Sequence, residues 1–359
     1  MIKLIKPYIS FEEVQSEFKE IFESGWFTKG KFVEEFREEI KSYTGANYAY
    51  LTTSATTALT MTLKALNIKV EDEVIVSDFS FPATANVVED IGAIPIFADV
   101  SLDTFNMLPN DLESKITSKT KAVIFVDALG SPCGIDEIKK ICQKHKLPLI
   151  EDGACAIGSS EFGVRCGNIA DITCFSFHPR KLLTMGEGGA ITFNDPKYVE
   201  FFDIKLNHGA VVTDGKFDFI DYGYNYRVPE LQCVMGIKQL QKLDEIVSSR
   251  NSIRDEYVKA LEPLGFQVQI ITDNIVHNVQ SLVFKVPSNV NRDELVKYLK
   301  ENKIETTIGT YCLSGCTYYN IKYNDIQTNA MFLEESTITF PCYDDVDVGY
   351  IVKKIKKYK

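Results

Sequence analysis

The sequence predicts an α/β fold built on a seven-stranded, mostly parallel sheet. Short apolar or β-branched runs recur along the chain and are the candidate strands, at 48–52, 73–77, 94–98, 122–126, 147–151, 172–177 and 190–194. Amphipathic segments separate several of these runs, as at 57–66 and 135–145. This alternation is typical of β-α units, in which helices cover both faces of a parallel sheet.

The pattern changes after about residue 245. A long polar helix is predicted at 243–261, followed by a strand near 279–286 and a helix at 291–300. We therefore expect a large α/β domain over residues 1–245 and a smaller C-terminal α+β domain over residues 246–359.

Composition and charge exclude several classes of protein. The chain has 359 residues and a net charge of −11, whereas a nucleic-acid binder needs clustered cations. No window offers about 18 consecutive apolar residues, and the first residues lack the apolar stretch of a secretion signal. We expect a cytoplasmic protein that binds neither nucleic acid nor membrane.

The nine cysteines predict reduced thiols rather than disulfides or a metal site. Their number is odd, they form no C-x-x-C pair, and several lie in apolar runs. Cys312 and Cys316 are close enough in sequence to suggest a metal site, but no second pair of ligands lies nearby. We expect no bound metal.

A lysine follows the sixth candidate strand, where ligands of open parallel sheets bind. Lys181 ends the segment 176–181 and precedes the glycine-rich segment 186–189. A lysine that forms a Schiff base must lose its proton, and both desolvation and the neighbouring Arg180 favour that loss. Taken alone, Lys181 also fits an ordinary surface lysine.

An aspartate follows the fifth candidate strand at the same edge of the sheet. Asp152 comes directly after the run 147–151. Its carboxylate either caps the next turn or pairs with the pyridinium nitrogen of pyridoxal 5'-phosphate (PLP), which keeps that cofactor able to accept electrons. The combination of Lys181 with Asp152 favours the second interpretation.

Further residues at this edge suit a phosphorylated aromatic ligand. Ser54, Ala55 and Thr56 open a helix after the first strand, where free backbone N–H groups attract phosphate, although they also fit an ordinary helix cap. Ser176 is a second candidate phosphate donor. Phe81 is either a ring that stacks on the ligand or part of the core.

Five motifs, in order, resemble the DegT/DnrJ family of sugar aminotransferases. They are Ser54–Thr56, Asp78–Asn86 with Phe81, Glu151–Ala156, Ser176–Lys181 with Gly186–Gly189, and Gly223–Arg227. The resemblance runs from about Gly25 to the C-terminus. It implies a fold-type I PLP enzyme of the aspartate aminotransferase superfamily, whose N-terminal segment contributes to the active site.

The resemblance also implies a role for each matching residue. Lys181 would hold PLP as a Schiff base, Asp152 would pair with the ring nitrogen, and Phe81 would stack on the ring. Phosphate contacts would come from Ser54, Ala55, Thr56 and Ser176, together with Asn225 of a neighbouring subunit. A homodimer with two shared active sites follows from that last contact.

Three departures from the family pattern fall on the acceptor side of the site. Cys155 is expected to contact the cofactor oxygen, where the family usually has glutamine or histidine, although its sulfur is a weak hydrogen-bonding partner. Ser314 is expected on the substrate side, where histidine is common, and the stretch between His208 and Gly223 is short. Thr28 and Tyr311 are expected to line the acceptor pocket, and Arg180 and Arg227 to bind a carboxylate or phosphate.

The expected reaction is transamination from L-glutamate to the keto group of a nucleotide-linked sugar, for surface polysaccharide synthesis. The alternative acceptor is a small phosphorylated ketone, such as a triose phosphate, or another non-nucleotide compound. Two other classes remain open, a related PLP-dependent dehydratase and a non-catalytic PLP sensor. Lys181 argues against the first, since such dehydratases carry histidine there, and no DNA-binding extension supports the second.

Overall fold

The computed structural model describes residues 1–358 of the chain. Its α-helices are α1 Gln15–Ser24, α2 Lys31–Thr44, α3 Ala55–Ala65, α4 Ala83–Asp90, α5 Pro109–Lys115, α6 Ile135–His145, α7 Val199–Lys205, α8 Glu230–Leu240, α9 Leu243–Leu261, α10 Arg292–Glu301, α11 Thr317–Tyr323, α12 Thr328–Ser336 and α13 Val348–Ile355. Within this described part, no helix has both the length and the apolar character needed to cross a bilayer.

The strands range from two to seven residues. They are β1 Tyr48–Thr52, β2 Glu73–Ser77, β3 Phe79–Ser80, β4 Ile94–Ala98, β5 Thr120–Val126, β6 Leu149–Asp152, β7 Ser160–Glu161, β8 Val164–Arg165, β9 Ile172–Ser176, β10 Gly189–Phe193, β11 Ala210–Thr213, β12 Lys216–Phe219, β13 Gln267–Val268, β14 Ile275–Val276, β15 Leu282–Lys285, β16 Thr307–Ile308, β17 Tyr311–Cys312 and β18 Thr337–Phe340.

The predicted central sheet is confirmed. Seven strands pair in the order β1-β10-β9-β6-β5-β2-β4. β10 runs antiparallel to both of its neighbours, and the other pairs are parallel. The fifth candidate strand was placed too early, because the Leu147 N–H bonds back to the Cys142 carbonyl and so ends α6, while β6 extends to Asp152.

Helices cover both faces of this sheet. Successive residues of β5 alternate between two apolar clusters, with Val123 and Phe125 on one face and Ile124 on the other. All three side chains are fully buried. A strand buried on both faces needs apolar residues at every position, which explains the continuous apolar runs in the sequence.

The C-terminal part forms a second layered unit. Its sheet has the order β13-β15-β18-β16 and packs with α9, α10 and α13 around a core that includes Tyr257, Phe284 and Phe340. The first residues of the chain join this unit, since Ile2 forms a parallel bridge with Ile304. Helix α9 occupies the predicted range 243–261, but the division at residue 245 stays a prediction.

Candidate active site

A cavity of about 570 Å³ opens at the carboxyl ends of β5, β6 and β9. Nine of the residues selected from the sequence line it, namely Ser54, Ala55, Thr56, Phe81, Asp152, Cys155, Ser176, Arg180 and Lys181. The remaining walls include residues that sequence reasoning missed, among them Lys6, Tyr8, Ser80, Thr84 and Gln280. Lys6 and Tyr8 could not be recognised from local sequence. They reach the cavity because the first residues of the chain pack against the C-terminal unit, where Ile2 pairs with Ile304.

Lys181 points its amine into the cavity beside a thiol. It lies in the turn after β9, where its backbone N–H donates to the His178 carbonyl at 2.8 Å. Its Nζ donates to Cys155 Sγ at 3.0 Å, the one side-chain hydrogen bond of this amine within residues 1–358. The amine is therefore within reach of a ligand and is not tied up in an ion pair.

Asp152 is a buried carboxylate at the end of β6, with 5% of its surface exposed. Its Oδ2 accepts a hydrogen bond from Thr84 Oγ1 at 2.7 Å, and its Oδ1 accepts one from the Ala154 N–H at 3.2 Å. Burial raises the pKa of Asp152, and these two hydrogen bonds and the charge of Lys181 partly counteract that shift. A cationic ring nitrogen at this carboxylate would favour its ionised form.

Two hydroxyl groups, of Ser80 and Thr84, form consecutive hydrogen bonds that end at Asp152. Ser80 Oγ lies 2.8 Å from Thr84 Oγ1, which in turn donates to Asp152. Both hydroxyl groups are buried. Ser80 and Thr84 lie in the motif 78–86, from which only Phe81 was selected. The spacing of two hydroxyl residues by four positions was the sequence feature that could have identified them.

The N-terminus of α3 forms the opposite wall of the cavity. Ser54 caps this helix, since its Oγ accepts from the Thr57 N–H and Thr57 Oγ1 accepts from the Ser54 N–H. The next N–H groups of a helix have no partner inside it and attract anions. A Cβ on Gly189 would lie 2.5 Å from the Ser54 carbonyl carbon, so glycine permits the close approach of β10 to this turn.

Phe81 presents an exposed aromatic face in the cavity wall, with 64% of its surface accessible. It packs edge-to-face against Tyr311, with ring centroids 6.3 Å apart. A large aromatic side chain this exposed inside a cavity suits a planar ligand. Tyr311 contacts Phe81 without lining the cavity itself.

Together these groups fit PLP by their chemistry. One cavity contains a lysine amine, a buried carboxylate under hydrogen-bond control, an exposed aromatic face and the N-terminus of a helix. Lys181 would bind the carbonyl carbon, Asp152 the ring nitrogen, Phe81 the ring face, and Ser54, Ala55, Thr56 and Ser176 the phosphate. All of these residues line the same cavity.

The structure does not bring Ser314 to the cavity. Its side chain is buried with Asp78, where Ser314 Oγ donates to Asp78 Oδ2 and the Ser314 N–H donates to Asp78 Oδ1, both at 2.7 Å. Burial raises the pKa of Asp78 to about 6, although hydrogen bonds from Ser314 and Cys312 oppose the shift. This contact fixes β17 against β3 and so supports the segment that carries Phe81.

Thr28, Asn225 and Arg227 do not line the cavity. Thr28 forms an antiparallel bridge with Pro229, two residues beyond Arg227. Desolvation and the charge of Arg227 lower the pKa of Lys29. Asn225 is exposed. Within one protomer, these three residues therefore do not contact the residues that are predicted to bind the cofactor.

The family model for the DegT/DnrJ/EryC1/StrS aminotransferases matches residues 9–356. SpsC of Bacillus subtilis, a spore coat polysaccharide biosynthesis protein, is 33% identical over 98% of this chain and 95% of its own. GDP-perosamine synthase of Escherichia coli O157:H7 is 31% identical over 99% of this chain and 98% of its own.

Among solved structures, Spr1654 of Streptococcus pneumoniae, assigned as a sugar aminotransferase, matches in its PMP form with a TM-score of 0.93 and 26% identity. That match covers 99% of this chain and 98% of the other. Its PLP form matches with a TM-score of 0.91. The family match spans all five motifs, so the chain belongs to the DegT/DnrJ/EryC1/StrS aminotransferase family and is a PLP-dependent aminotransferase.

Proposed function

We propose that this aminotransferase moves an amino group from L-glutamate to the keto group of a nucleotide-linked sugar that enters a surface polysaccharide. The observation that carries the proposal is the free amine of Lys181 in the same cavity as the buried carboxylate of Asp152. The polysaccharide and GDP-perosamine names of the relatives support a sugar acceptor. The nine cysteines are all free, which suits the reducing cytoplasm.

Bound PLP supplies the electron sink for the carbon that loses its proton. Lys181 would hold the cofactor through Nζ, and the same amine, once free, would act as the base and acid that moves the proton. Asp152 would present a negative charge to the ring nitrogen, and Thr84 keeps Asp152 in place by its hydrogen bond. The N-terminus of α3 would bind the phosphate.

Two cations of the cavity suit the carboxylates of the donor. Arg180 and Lys6 both line the cavity that holds Lys181, and the guanidinium of Arg180 forms no ion pair within residues 1–358. Lys6 makes only a long contact of 3.8 Å with the exposed Asp345. Glutamate carries two carboxylates, and one exposed cation for each would orient it without a metal.

The alternative acceptor is a small phosphorylated ketone. The observation that favours it is the short β11–β12 hairpin, which spans only residues 210–219 and leaves little chain to cover a nucleotide. The same two cations would then bind the acceptor phosphate. Ser314, which the sequence placed at the acceptor, lies behind the cavity and distinguishes neither acceptor.

We also propose a homodimer in which each protomer completes the other's site. Val212, Phe217, Phe219 and Tyr222 are each more than half exposed on the hairpin and the segment after it. Exposed apolar clusters of this kind mark protein interfaces. Asn225 and Arg227 continue the same stretch of chain, so a partner that covers the hairpin would also receive these two polar side chains.

Absorbance spectroscopy tests the donor half of the reaction. We expect PLP to give a band near about 420 nm with the wild type, and L-glutamate to replace it with one near about 330 nm. Lys181→Ala should lose the lysine-bound band and slow the reaction on the order of a thousandfold. Lys197→Ala, which alters a surface lysine paired with Asp195, is the matched control and should behave as wild type.

The acceptor is tested with the aminated enzyme. Nucleotide-linked keto-sugars should restore the longer-wavelength band, whereas small keto-phosphates should not. Return of the band with keto-phosphates alone would establish the alternative acceptor. A wild type that binds PLP but shows no change with glutamate would refute glutamate as the donor.

A further inference from the structure

Cys155 lies in the active-site cavity, yet the mechanism above gives it no task. It contacts Lys181 Nζ at 3.0 Å, and among residues 1–358 it is the one cysteine whose sulfur meets a lysine nitrogen. Seven of the nine cysteines are buried, while Cys155 and Cys316 are partly exposed. Cys155 lines the open cavity, so small solutes reach both its sulfur and the amine beside it.

One segment of chain fixes both partners of this contact. Asn278 Nδ2 donates to the Cys155 carbonyl at 2.8 Å, and Gln280 Nε2 donates to the Arg180 carbonyl at 2.8 Å. The Leu182 N–H also donates to Gln280 Oε1. The loop of Cys155 and the turn of Lys181 are therefore held by two side chains only two residues apart.

The guanidinium of Arg250 in turn anchors that segment. It donates from Nε and Nη2 to the Val279 carbonyl at 2.9 and 2.6 Å, and from Nη2 to the Gln280 carbonyl at 3.1 Å. Asn278 and Gln280 are buried, with 0% and 8% of their surfaces exposed. The backbone segments that carry Cys155 and Lys181 are thus held next to each other by buried, hydrogen-bonded groups.

We propose that Cys155 and Lys181 form an oxidative modification site, in which a peroxide joins the sulfur to the lysine nitrogen. Peroxide first oxidises the thiol, so that Cys–SH and H₂O₂ give Cys–SOH and water. The lone pair of the Lys181 amine then attacks this sulfur, an S–N bond forms, and the S–O bond breaks with loss of water. Sulfenic acids condense with nitrogen nucleophiles in this manner.

The linked pair is inactive and recoverable. Its nitrogen no longer binds the cofactor carbonyl, so the modification and PLP compete for one atom. Two thiol molecules reverse it, restoring the Cys155 thiol and the Lys181 amine while they become a disulfide. This inference rests on the proposed function only in taking Lys181 as the cofactor-binding residue, because the chemistry of the pair needs neither donor nor acceptor.

Peptide mass spectrometry tests the link directly. Hydroxylamine, which takes the cofactor carbonyl from Lys181, frees the full-length protein of cofactor and is then removed by dialysis. This protein is treated with hydrogen peroxide, digested and compared with a sample treated while PLP is bound. We expect a linked peptide pair containing Cys155 and Lys181, lighter than the two separate peptides by two hydrogen atoms, in the cofactor-free sample only. A reducing thiol should separate the pair again.

Matched variants assign the atoms. Cys155→Ser should abolish the link, whereas Cys316→Ser, which removes the other partly exposed cysteine, should leave it unchanged. In Lys181→Ala, Cys155 should stop at the sulfenic acid, which dimedone traps. After peroxide, PLP added to the wild type should give a band near about 420 nm reduced by roughly tenfold, and thiol should restore it.

Two results would overturn the inference. The first is a wild type in which Cys155 carries only oxygen, as sulfenic or sulfinic acid, while the Lys181 peptide stays free. The second is a link that forms equally well with PLP bound, since a nitrogen engaged by the cofactor should not attack sulfur. Neither result depends on glutamate turnover, so failure here and failure of the proposed reaction are distinguishable.

Discussion

At the scale of single residues, the site depends on how buried carboxylates are held. Thr84 donates to Asp152 at 2.7 Å, and Ser314 donates to Asp78 at the same distance. Burial raises the pKa of both carboxyl groups. A hydrogen bond to a charged group contributes about 1.5–3 kcal/mol, so each hydroxyl has a measurable effect.

Thr84→Val should weaken cofactor binding without a change of shape. The methyl group replaces the hydroxyl that donates to Asp152, which raises the pKa of this carboxyl further and lowers its charge at the ring nitrogen. We expect the Kd for PLP, measured by fluorescence titration, to rise by about tenfold or more. Thr84→Ser keeps the donor and should bind like wild type. Equal affinity for the valine variant would contradict this role.

Asp78 should make stability fall as pH rises. The pKa of Asp78 is about 6 in the folded protein, whereas the ordinary value of 3.8 applies to the unfolded chain. The contribution of Asp78 to stability is therefore fully present below the unfolded pKa and is lost as the pH rises through the folded pKa. Between about pH 5 and about pH 7, wild type should lose about 1.4 kcal/mol relative to Asp78→Asn in urea unfolding. Parallel curves for the two proteins would show that Asp78 does not titrate there.

At the scale of elements, the sequence predicted those strands and helices that a local pattern of residues determines. The seven strands of the main sheet and the helices α6 and α9 follow from apolar periodicity, and each was located within a few residues. The two-residue strands β3 and β17 were not predictable, since their pairing joins Ser80 to Tyr311 across the chain. The same pairing decides that Ser314 faces Asp78 rather than the cavity.

That nine of the selected residues would line one cavity was predictable, because they follow strand ends in sequence and strand ends converge in space. Thr84 was missed because its partner, Asp152, lies on another strand. Lys6 and Tyr8 were missed because their place depends on the bridge between Ile2 and Ile304. Long-range pairing of this kind leaves no periodic trace in one sequence.

Helix α2 shows how one element depends on another for its cap. The Glu230 carboxylate, at the start of α8, accepts from the N–H groups of Gly30, Phe32 and Val33 at 2.7, 2.9 and 3.2 Å. Glu230 is 2% exposed. A buried carboxylate at a helix N-terminus satisfies its free donors and complements its dipole.

Glu230→Ala should destabilise the protein by about 2–3 kcal/mol, because three N–H groups, one buried and two partly buried, lose their acceptor. Chemical unfolding monitored by circular dichroism measures the change. Glu34→Ala, in the exposed first turn of the same helix, is the control and should stay within about 0.5 kcal/mol of wild type. If both variants lost the same free energy of unfolding, the buried cap would contribute no more to stability than the exposed Glu34.

At the scale of the whole molecule, the protomer leaves an apolar hairpin unpaired. Phe217 and Phe219 are 67% and 66% exposed on β12. The following segment carries Asn225, which the family resemblance assigns to a neighbour's phosphate site. A dimer that buries this hairpin would therefore link assembly to cofactor binding.

Phe217→Asp with Phe219→Asp should give monomers in analytical ultracentrifugation, because two carboxylates would have to enter an apolar interface. The same variant should bind PLP about tenfold more weakly, since each phosphate would lose the polar contact from its neighbour. Ile321→Asp, on α11 and 80% exposed, is the control for a charge on an exposed apolar site. A double variant that stays dimeric would place the interface elsewhere.

The bridge between Ile2 and Ile304 has a consequence for folding. Lys6 and Tyr8 line the cavity, yet the bridge that positions their segment needs Ile304, which lies in the C-terminal unit. The wall that these two residues form is therefore complete only after the C-terminal unit has folded. We expect full cofactor affinity to develop late in folding, when this unit has closed on the first residues of the chain.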